Sequence, residues 1–182
     1  MNTISNILKA LGTDKNNDTE HSYGEVYEEI FNRYDRMGKF NILELGVQRG
    51  GSLYAWREYF PNAKIYGVDI VDVRQDDYKS TDRITFILGD LKNVVEQLKD
   101  IKFDIIIDDS DHNEQTMAWI TQHYFPLLNN NGTLVFEDVQ IPPLYESVIR
   151  DVMPHNALLE SFDLRHIKGR HDDYIITLTN VT

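Results

Sequence analysis

Short apolar runs alternate with stretches whose apolar residues recur every three or four positions, and this alternation sets the expected fold. The runs Phe40–Leu45, Lys64–Asp69, Ile84–Leu88, Phe103–Asp108 and Gly132–Glu137 read as strands. Several are continuously apolar, the pattern of a parallel sheet covered by helices on both faces. Between them, Ser52–Tyr59, Leu91–Leu98 and His112–Leu128 read as helices. In the last, Met117, Ile120, Tyr124, Leu127 and Leu128 fall at helical spacing and make one buried face. A further helix is expected from Pro142 or Pro143, both suited to a first turn, to about Met153. Leu158–Arg165 and Asp173–Thr179 read as two strands joined by a turn around Lys168-Gly169. Ahead of the first strand, Ile4–Leu11 and Glu25–Tyr34 read as helices separated by a polar segment running from Gly12 to Tyr23.

These elements predict an α/β fold: a doubly wound, mostly parallel, seven-stranded Rossmann-like sheet with a terminal antiparallel strand. Residues 1–38 form an N-terminal helical cap and residues 39–182 the α/β core of a single domain. The cap either covers the open ligand face or serves as a plain surface cap. Right-handed crossovers place the ligand site at the carboxyl ends of the strands.

Composition narrows the chemistry. The chain has no cysteine, which removes thiolate metal sites, thiol nucleophiles and disulfides from consideration. Acidic residues outnumber basic ones by 30 to 18, for a net charge of -12, so a nucleic-acid partner is disfavoured. No apolar run approaches the roughly 18 residues of a membrane span. Met1–Leu11 lacks the pattern of a secretory signal, and a cytoplasmic location is expected.

The strand ends carry the candidate site. The first strand runs into Glu44-Leu45-Gly46-Val47-Gln48-Arg49-Gly50-Gly51-Ser52 and then a helix. Glycine allows a tight turn and close approach to a ligand, but the spacing departs from the G-x-G-x-x-G of pyrophosphate loops. A carboxylate at Glu44 suits a cationic amino group better than a phosphate. Asp69, closing the second strand, can accept hydrogen bonds from ribose hydroxyls, and Asp90 follows the third strand near an adenine edge. Each acid alone also has a plain explanation as a helix cap or turn residue. The fourth strand empties into Asp108-Asp109-Ser110-Asp111-His112 and the fifth into Glu137-Asp138. Carboxylates converging from neighbouring strands repel unless a cation is present, and oxygen ligands favour Mg²⁺, Ca²⁺ or Mn²⁺. Ser110 or Asp111 could instead cap the helix after them. His112, three residues past Asp109, is the candidate general base.

The glycine loop with Glu44 resembles the first motif of class I S-adenosylmethionine-dependent methyltransferases. A narrower resemblance joins Gly12-Thr13-Asp14-Lys15, His21-x-Tyr23, Tyr27, Trp56, Asp108-Asp109-Ser110-Asp111-His112 and Phe136-Glu137-Asp138. Together these are similar to the metal-dependent macrocin and mycinamicin type of sugar O-methyltransferase. The resemblance implies Asp109, Glu137 and Asp138 as Mg²⁺ (or Mn²⁺) ligands and His112 as general base. For S-adenosylmethionine it implies Glu44, Gly46, Asp69 and Asp90, with Gly50, Ser52 and Asp108 completing the cofactor set. The expected activity is methylation of a sugar or glycan bearing vicinal hydroxyls; a homodimer is the base-rate assembly. Competing readings are a catechol-type O-methyltransferase, a nicotinamide-dependent oxidoreductase, a metal-dependent hydroxylase and a non-catalytic S-adenosylmethionine-binding protein.

Overall fold

A computed structural model describes residues 2–72, 74 and 82–181. Its strands are β1 (Asn41–Leu45), β2 (Lys64–Asp69), β3 (Ile84–Leu88), β4 (Phe103–Asp108), β5 (Leu128–Phe136), β6 (Ala157–Asp163) and β7 (Tyr174–Asn180). Its helices are α1 (Ile4–Ala10), α2 (Gly24–Phe31), α3 (Gly51–Tyr59), α4 (Leu91–Leu98), α5 (Glu114–His123), α6 (Pro142–Val152) and the single turn α7 (Arg165–Lys168). The strands form one sheet in the order β3-β2-β1-β4-β5-β7-β6. β3, β2, β1, β4 and β5 are parallel, whereas β7 pairs antiparallel with both β5 and β6. The reversed strand is therefore last in the chain but internal in the sheet.

Strand alternation divides the core between two faces. Leu43, Leu45, Ile106, Leu134 and Phe136 pack with apolar residues of α4, α5 and α6. Ile42, Ile65, Ile105, Ile107 and Val135 pack on the other face with α1, α2 and α3, around the fully buried Trp56. Each fully buried aliphatic side chain contributes about 1.5–3 kcal/mol relative to exposure. The cap helices α1 and α2 thus share a core with the sheet through Ile7, Leu8, Tyr27 and Phe31.

Several boundaries differ from expectation, α2 ending at Phe31 rather than Tyr34 among them, and three have a local cause. The helix predicted from His112 begins at Glu114, because Asn113 caps it through its side chain rather than Ser110 or Asp111. His112 lies outside the helix with φ 52. That helix also stops at His123, and a 3₁₀ turn over Phe125–Leu127 with a proline leads into the next strand. Strand β5 starts at Leu128, four residues before Gly132, since the polar run Asn129–Asn131 is absorbed as an irregularity. Phe103 pairs with Leu128 but Ile105 with Thr133, and Asn131 takes φ 61. Among the described residues no helix is long and apolar enough to cross a membrane.

Candidate active site

The loop after β1 is shaped by one close approach. Gly46 has φ 86, and a Cβ there would lie 2.0 Å from the Asp109 carbonyl oxygen. Only glycine lets the β1 loop pass the end of β4. The ladder continues past the strands, with Gly46 N donating to Val68 O at 2.9 Å and Asp109 N to Leu45 O at 2.8 Å. Gly50, also at φ 86, precedes α3, and Ser52 in its first turn is buried. Asp69 braces this loop: its Oδ2 accepts from Val47 N at 2.8 Å and Gln48 N at 3.0 Å, and its Oδ1 from Val71 N. A carboxylate offers roughly four lone-pair sites, so acceptor capacity remains. Asp90 caps α4 by accepting from Lys92 N at 2.7 Å.

A cavity of about 690 Å³ runs along the carboxyl ends of the strands. It passes from Asp69, Ile70 and Asp90 by Gly46 to Asp109, His112 and Asp138. A second, of about 420 Å³, lies between the Val47–Ser52 loop and residues 11–20, and Asp109 borders both. Ile70 and Val71 are 70% and 50% exposed on the larger cavity, an apolar wall suited to a flat heteroaromatic ring. Sequence reasoning missed this pair, because a strand-end aliphatic carries no signal of its exposure.

Three of the predicted acids lie beneath the cavities and line neither. Glu44 shares the face of β1 with Ile42, so it points under α3, where Trp56 Nε1 donates to its Oε2 at 2.9 Å. Burial pushes its carboxyl up to about 7, against the pull of the Lys15 ammonium. Asp108 is buried on the opposite face, accepts from Ser110 Oγ at 2.6 Å, and is also pushed by burial to about 7. Glu137 shares its face with Val135. Its Oε1 accepts from Tyr27 OH and its Oε2 from Lys15 Nζ. Burial holds its carboxyl well above the usual range despite Lys15. Of the predicted cofactor set, Gly46, Asp69 and Asp90 border the larger cavity and Gly50 and Ser52 the smaller.

Asp109, His112 and Asp138 come together on the larger cavity. His112 Nε2 lies 3.9 Å from Asp109 Oδ1 and 3.6 Å from Asp138 Oδ2. His112 and Asp138 both have left-handed backbones, with φ 52 and 55, a conformation that costs on the order of 1–3 kcal/mol for such residues. Tyr145 OH holds the His112 carbonyl at 2.8 Å. His112 Nδ1 is buried and finds no hydrogen-bond partner among the described residues. The two carboxylate oxygens and the imidazole nitrogen lie within 4.8 Å of one another, a donor set that fits one Mg²⁺ or Mn²⁺ ion.

The N-terminal segment ends its polar side chains on these acids. Lys15, with its side chain 3% exposed, donates to Asp109 Oδ2 at 2.6 Å as well as to Glu137. Burial pulls its ammonium down in pKa, but Asp109 and Glu137 outweigh it and hold the value well above normal. Tyr23 OH donates to Asp138 Oδ1. His21 Nδ1 lies 2.8 Å from the fully buried Asp173 Oδ1 and 3.3 Å from Asp138 Oδ1. Lys15, Tyr27 and Asp173 received no role from sequence reasoning. The available signal was charge balance, since buried acids at neighbouring strand ends require a buried cation.

A methyltransferase-domain family model matches residues 43–139. The chain is 34% identical over 132 residues to the 8-demethyl-8-(2-methoxy-alpha-L-rhamnosyl)-tetracenomycin-C 3'-O-methyltransferase of Streptomyces olivaceus, covering 65% of this chain and 32% of that protein. It is 34% identical over 131 residues to the mycinamicin VI 2''-O-methyltransferase of Micromonospora griseorubida, again covering 65% and 32%. The chain spans about a third of the length of the curated relatives it matches. Among solved structures, the MycE methyltransferase of the mycinamycin biosynthetic pathway, in complex with Mg and SAH, superposes with a TM-score of 0.75 at 22% identity. That match covers 99% of this chain and 55% of the other. An O-methyltransferase from Bacillus cereus in complex with SAH gives 0.69 at 16% identity, covering 97% and 90%. At these identities the structures establish the fold.

Proposed function

Since the chain belongs to the methyltransferase-domain family, we propose that it methylates a hydroxyl oxygen of a glycoside, using S-adenosylmethionine and a divalent cation, Mg²⁺ or Mn²⁺. The observation that carries this reading is the single cavity of about 690 Å³. It joins the Gly46, Asp69 and Asp90 end to the Asp109, His112 and Asp138 end. A nucleoside and a metal-held acceptor would then meet in one space. The relatives support the acceptor class, since one is named a rhamnosyl-tetracenomycin-C 3'-O-methyltransferase and the other a mycinamicin VI 2''-O-methyltransferase.

The cofactor supplies an electrophilic methyl, and a bound cation makes a coordinated hydroxyl more acidic. Asp69 and Asp90 have acceptor oxygens for the ribose and adenine edges, and Ile70 and Val71 flank the ring. Gly50 and Ser52 border the smaller cavity, where the methionine portion fits. Asp109 and Asp138 would hold the cation through carboxylate oxygens, and a held cation would supply the positioning that raises the effective concentration of the reacting oxygen. The hydroxyl proton passes to an imidazole at the cavity wall. His112 was expected in that role, and His21, oriented by Asp173, lines the same wall. The net charge of -12 disfavours a nucleic-acid acceptor.

Calorimetric titration with S-adenosylmethionine and S-adenosylhomocysteine, with Mg²⁺ and with chelator, tests the cofactor. Methyl transfer from labelled cofactor to rhamnosides and to catechols then tests the acceptor. The reading expects cofactor binding and chelator-sensitive transfer to glycosides. Absence of binding to folded protein refutes the methyltransferase reading, and transfer confined to catechols refutes the glycoside.

A further inference from the structure

We infer that residues 13–22 form a gate over the smaller cavity, that Lys168 latches this gate from outside, and that cofactor and product pass when the latch opens. The identity of the ligand rests on the function proposed above; the gate itself rests on how the two walls of the smaller cavity are held.

One wall is the Val47–Ser52 loop, and it is fixed. A Cβ at Gly46 would lie 2.0 Å from the Asp109 carbonyl oxygen, and Asp69 Oδ2 holds both Val47 N and Gln48 N. The other wall is the polar segment 13–22, which belongs to no helix or strand. It is bonded largely to itself. His21 N donates to Asp14 O at 2.8 Å, and the Thr19 hydroxyl reaches Thr13 O and Asn16 O, each at 2.8 Å. A compact loop of this kind moves as one body. Gly12, at φ 64 with open space where a Cβ would stand, supplies a pivot at its start. Of the two walls, only this one can give way.

The gate is held from two sides. Inside, His21 Nδ1 meets Asp173 Oδ1 at 2.8 Å. Lys15 resists a small swing less than its buried ion pairs suggest, because its four-carbon stem can bend while the ammonium stays on Asp109 and Glu137. Outside, three carbonyls of the segment converge on the Lys168 ammonium: Asn16 O at 3.4 Å, Thr19 O at 3.0 Å and His21 O at 3.1 Å. These occupy all three donors of the ammonium. The other outer tie, Lys9 to Asp18, is an exposed ion pair and contributes little.

Packing does not explain why α7 lies where it does. The single turn buries none of its residues, and Gly169 ends it at φ 73. Its placement has one clear effect, which is to present Lys168 to the segment. The same turn leads into Arg170, whose guanidinium feels the charge of Glu20 across the larger cavity. Glu20 and Asp14 border both cavities, so the gate spans their junction. Opening it uncovers the place where the methionine portion fits.

The latch touches the wall and not the cofactor, so it governs the barrier to exchange rather than the contacts made once the ligand is bound. Surface plasmon resonance with S-adenosylhomocysteine on the full chain measures this. In Lys168→Met the association and dissociation rate constants should rise together, each roughly tenfold, equivalent to about 1.4 kcal/mol of barrier, with Kd changed far less. Lys168→Arg, which keeps a cation and its donors, should stay near the unaltered protein. The chain has no cysteine, so Asp18→Cys with Lys168→Cys can be bridged selectively by a short bismaleimide, both positions being exposed. Bridging should slow entry and release relative to the unbridged pair. Unchanged rates in Lys168→Met overturn the latch. A faster dissociation alone, with Kd weakened in proportion, makes Lys168 a plain structural support and overturns the gate. So does a bridged protein that exchanges ligand as fast as the unbridged one. In each of these cases S-adenosylhomocysteine still binds and the methyltransferase reading stands; its failure to bind folded, unaltered protein removes that reading and this inference with it.

Discussion

Replacing Lys15 by methionine isolates what the buried ammonium does for the fold. Methionine keeps most of the side-chain length and removes only the charge and its hydrogen bonds. Asp109 and Glu137 are then left without their shared cation, with Glu137 fully buried and Asp109 bordering the cavity. Removing one partner of a buried ion pair costs about 3–5 kcal/mol. Against a total stability of about 5–15 kcal/mol this is a large fraction, and it corresponds to a fall of roughly 6–20 °C in Tm for a chain of this size. The loss also depends on pH in a defined direction. Burial already raises the folded pKa of Glu137, and removing Lys15 raises it further. An unfolded glutamate ionises near about 4.3. A raised carboxyl favours the fold below its unfolded pKa, and that contribution is lost as pH rises through the folded value. The variant should therefore be closest to the unaltered protein at pH 5 and furthest from it at pH 8. Urea unfolding in chelator at both pH values, read as midpoint shifts at constant m, measures this. A Lys15→Met protein within about 1 kcal/mol of the original at pH 8 would refute the reasoning.

Gly46→Ala combines a left-handed φ with a Cβ 2.0 Å from the Asp109 carbonyl oxygen, and should cost more than about 3 kcal/mol in urea unfolding. A cost below 1 kcal/mol would mean the loop moves freely past β4. Glu44→Gln removes a carboxyl whose folded value of about 7 exceeds its ordinary 4.5. The original loses stability from this group as pH rises through that interval, so the variant should gain on it by up to about 3 kcal/mol between pH 4 and pH 8. A variant that loses ground with rising pH contradicts the sign. Tyr23→Phe deletes the hydroxyl that pins Asp138 Oδ1 and should weaken Mn²⁺ binding roughly 10–100-fold by titration, with circular dichroism unchanged. Unaltered Mn²⁺ affinity would show that Asp138 needs no such partner.

The fold was legible where the pattern was strictly local. Short apolar runs placed β2, β3 and β4 to the residue, most plainly in β4, where every position but Asp104 is buried. Boundaries failed where a side chain chose among several plausible caps, as Asn113 did over Ser110 and Asp111, and where Asn129–Asn131 entered a strand as an irregularity. The strand-end acids were visible for the same local reason. Which of them would face the cavity was not read, although strand alternation contained the information. Glu44 follows Ile42, and Glu137 follows Val135, onto the face that α1, α2 and α3 cover. The partners of those acids were out of reach. Lys15 and Glu137 are joined across five strands of the sheet and His21 and Asp173 across six, so neither pair is visible as a local pattern.

Those separations, 122 residues between Lys15 and Glu137 and 152 between His21 and Asp173, also order events in time. A ribosome adding roughly 5–20 residues per second exposes Asp173 some 8–30 s after His21. The Lys15 ammonium meets its anions earlier, Asp109 after 94 residues and Glu137 after 122, so His21 is the last of these side chains to find its partner. Chains stalled before β5 would carry the glycine loop while the residues around Lys15 remained open to proteases. Docking of the amino-terminal segment is thus complete only after Asp173 has been added, later than its first contacts with Asp109 and Glu137.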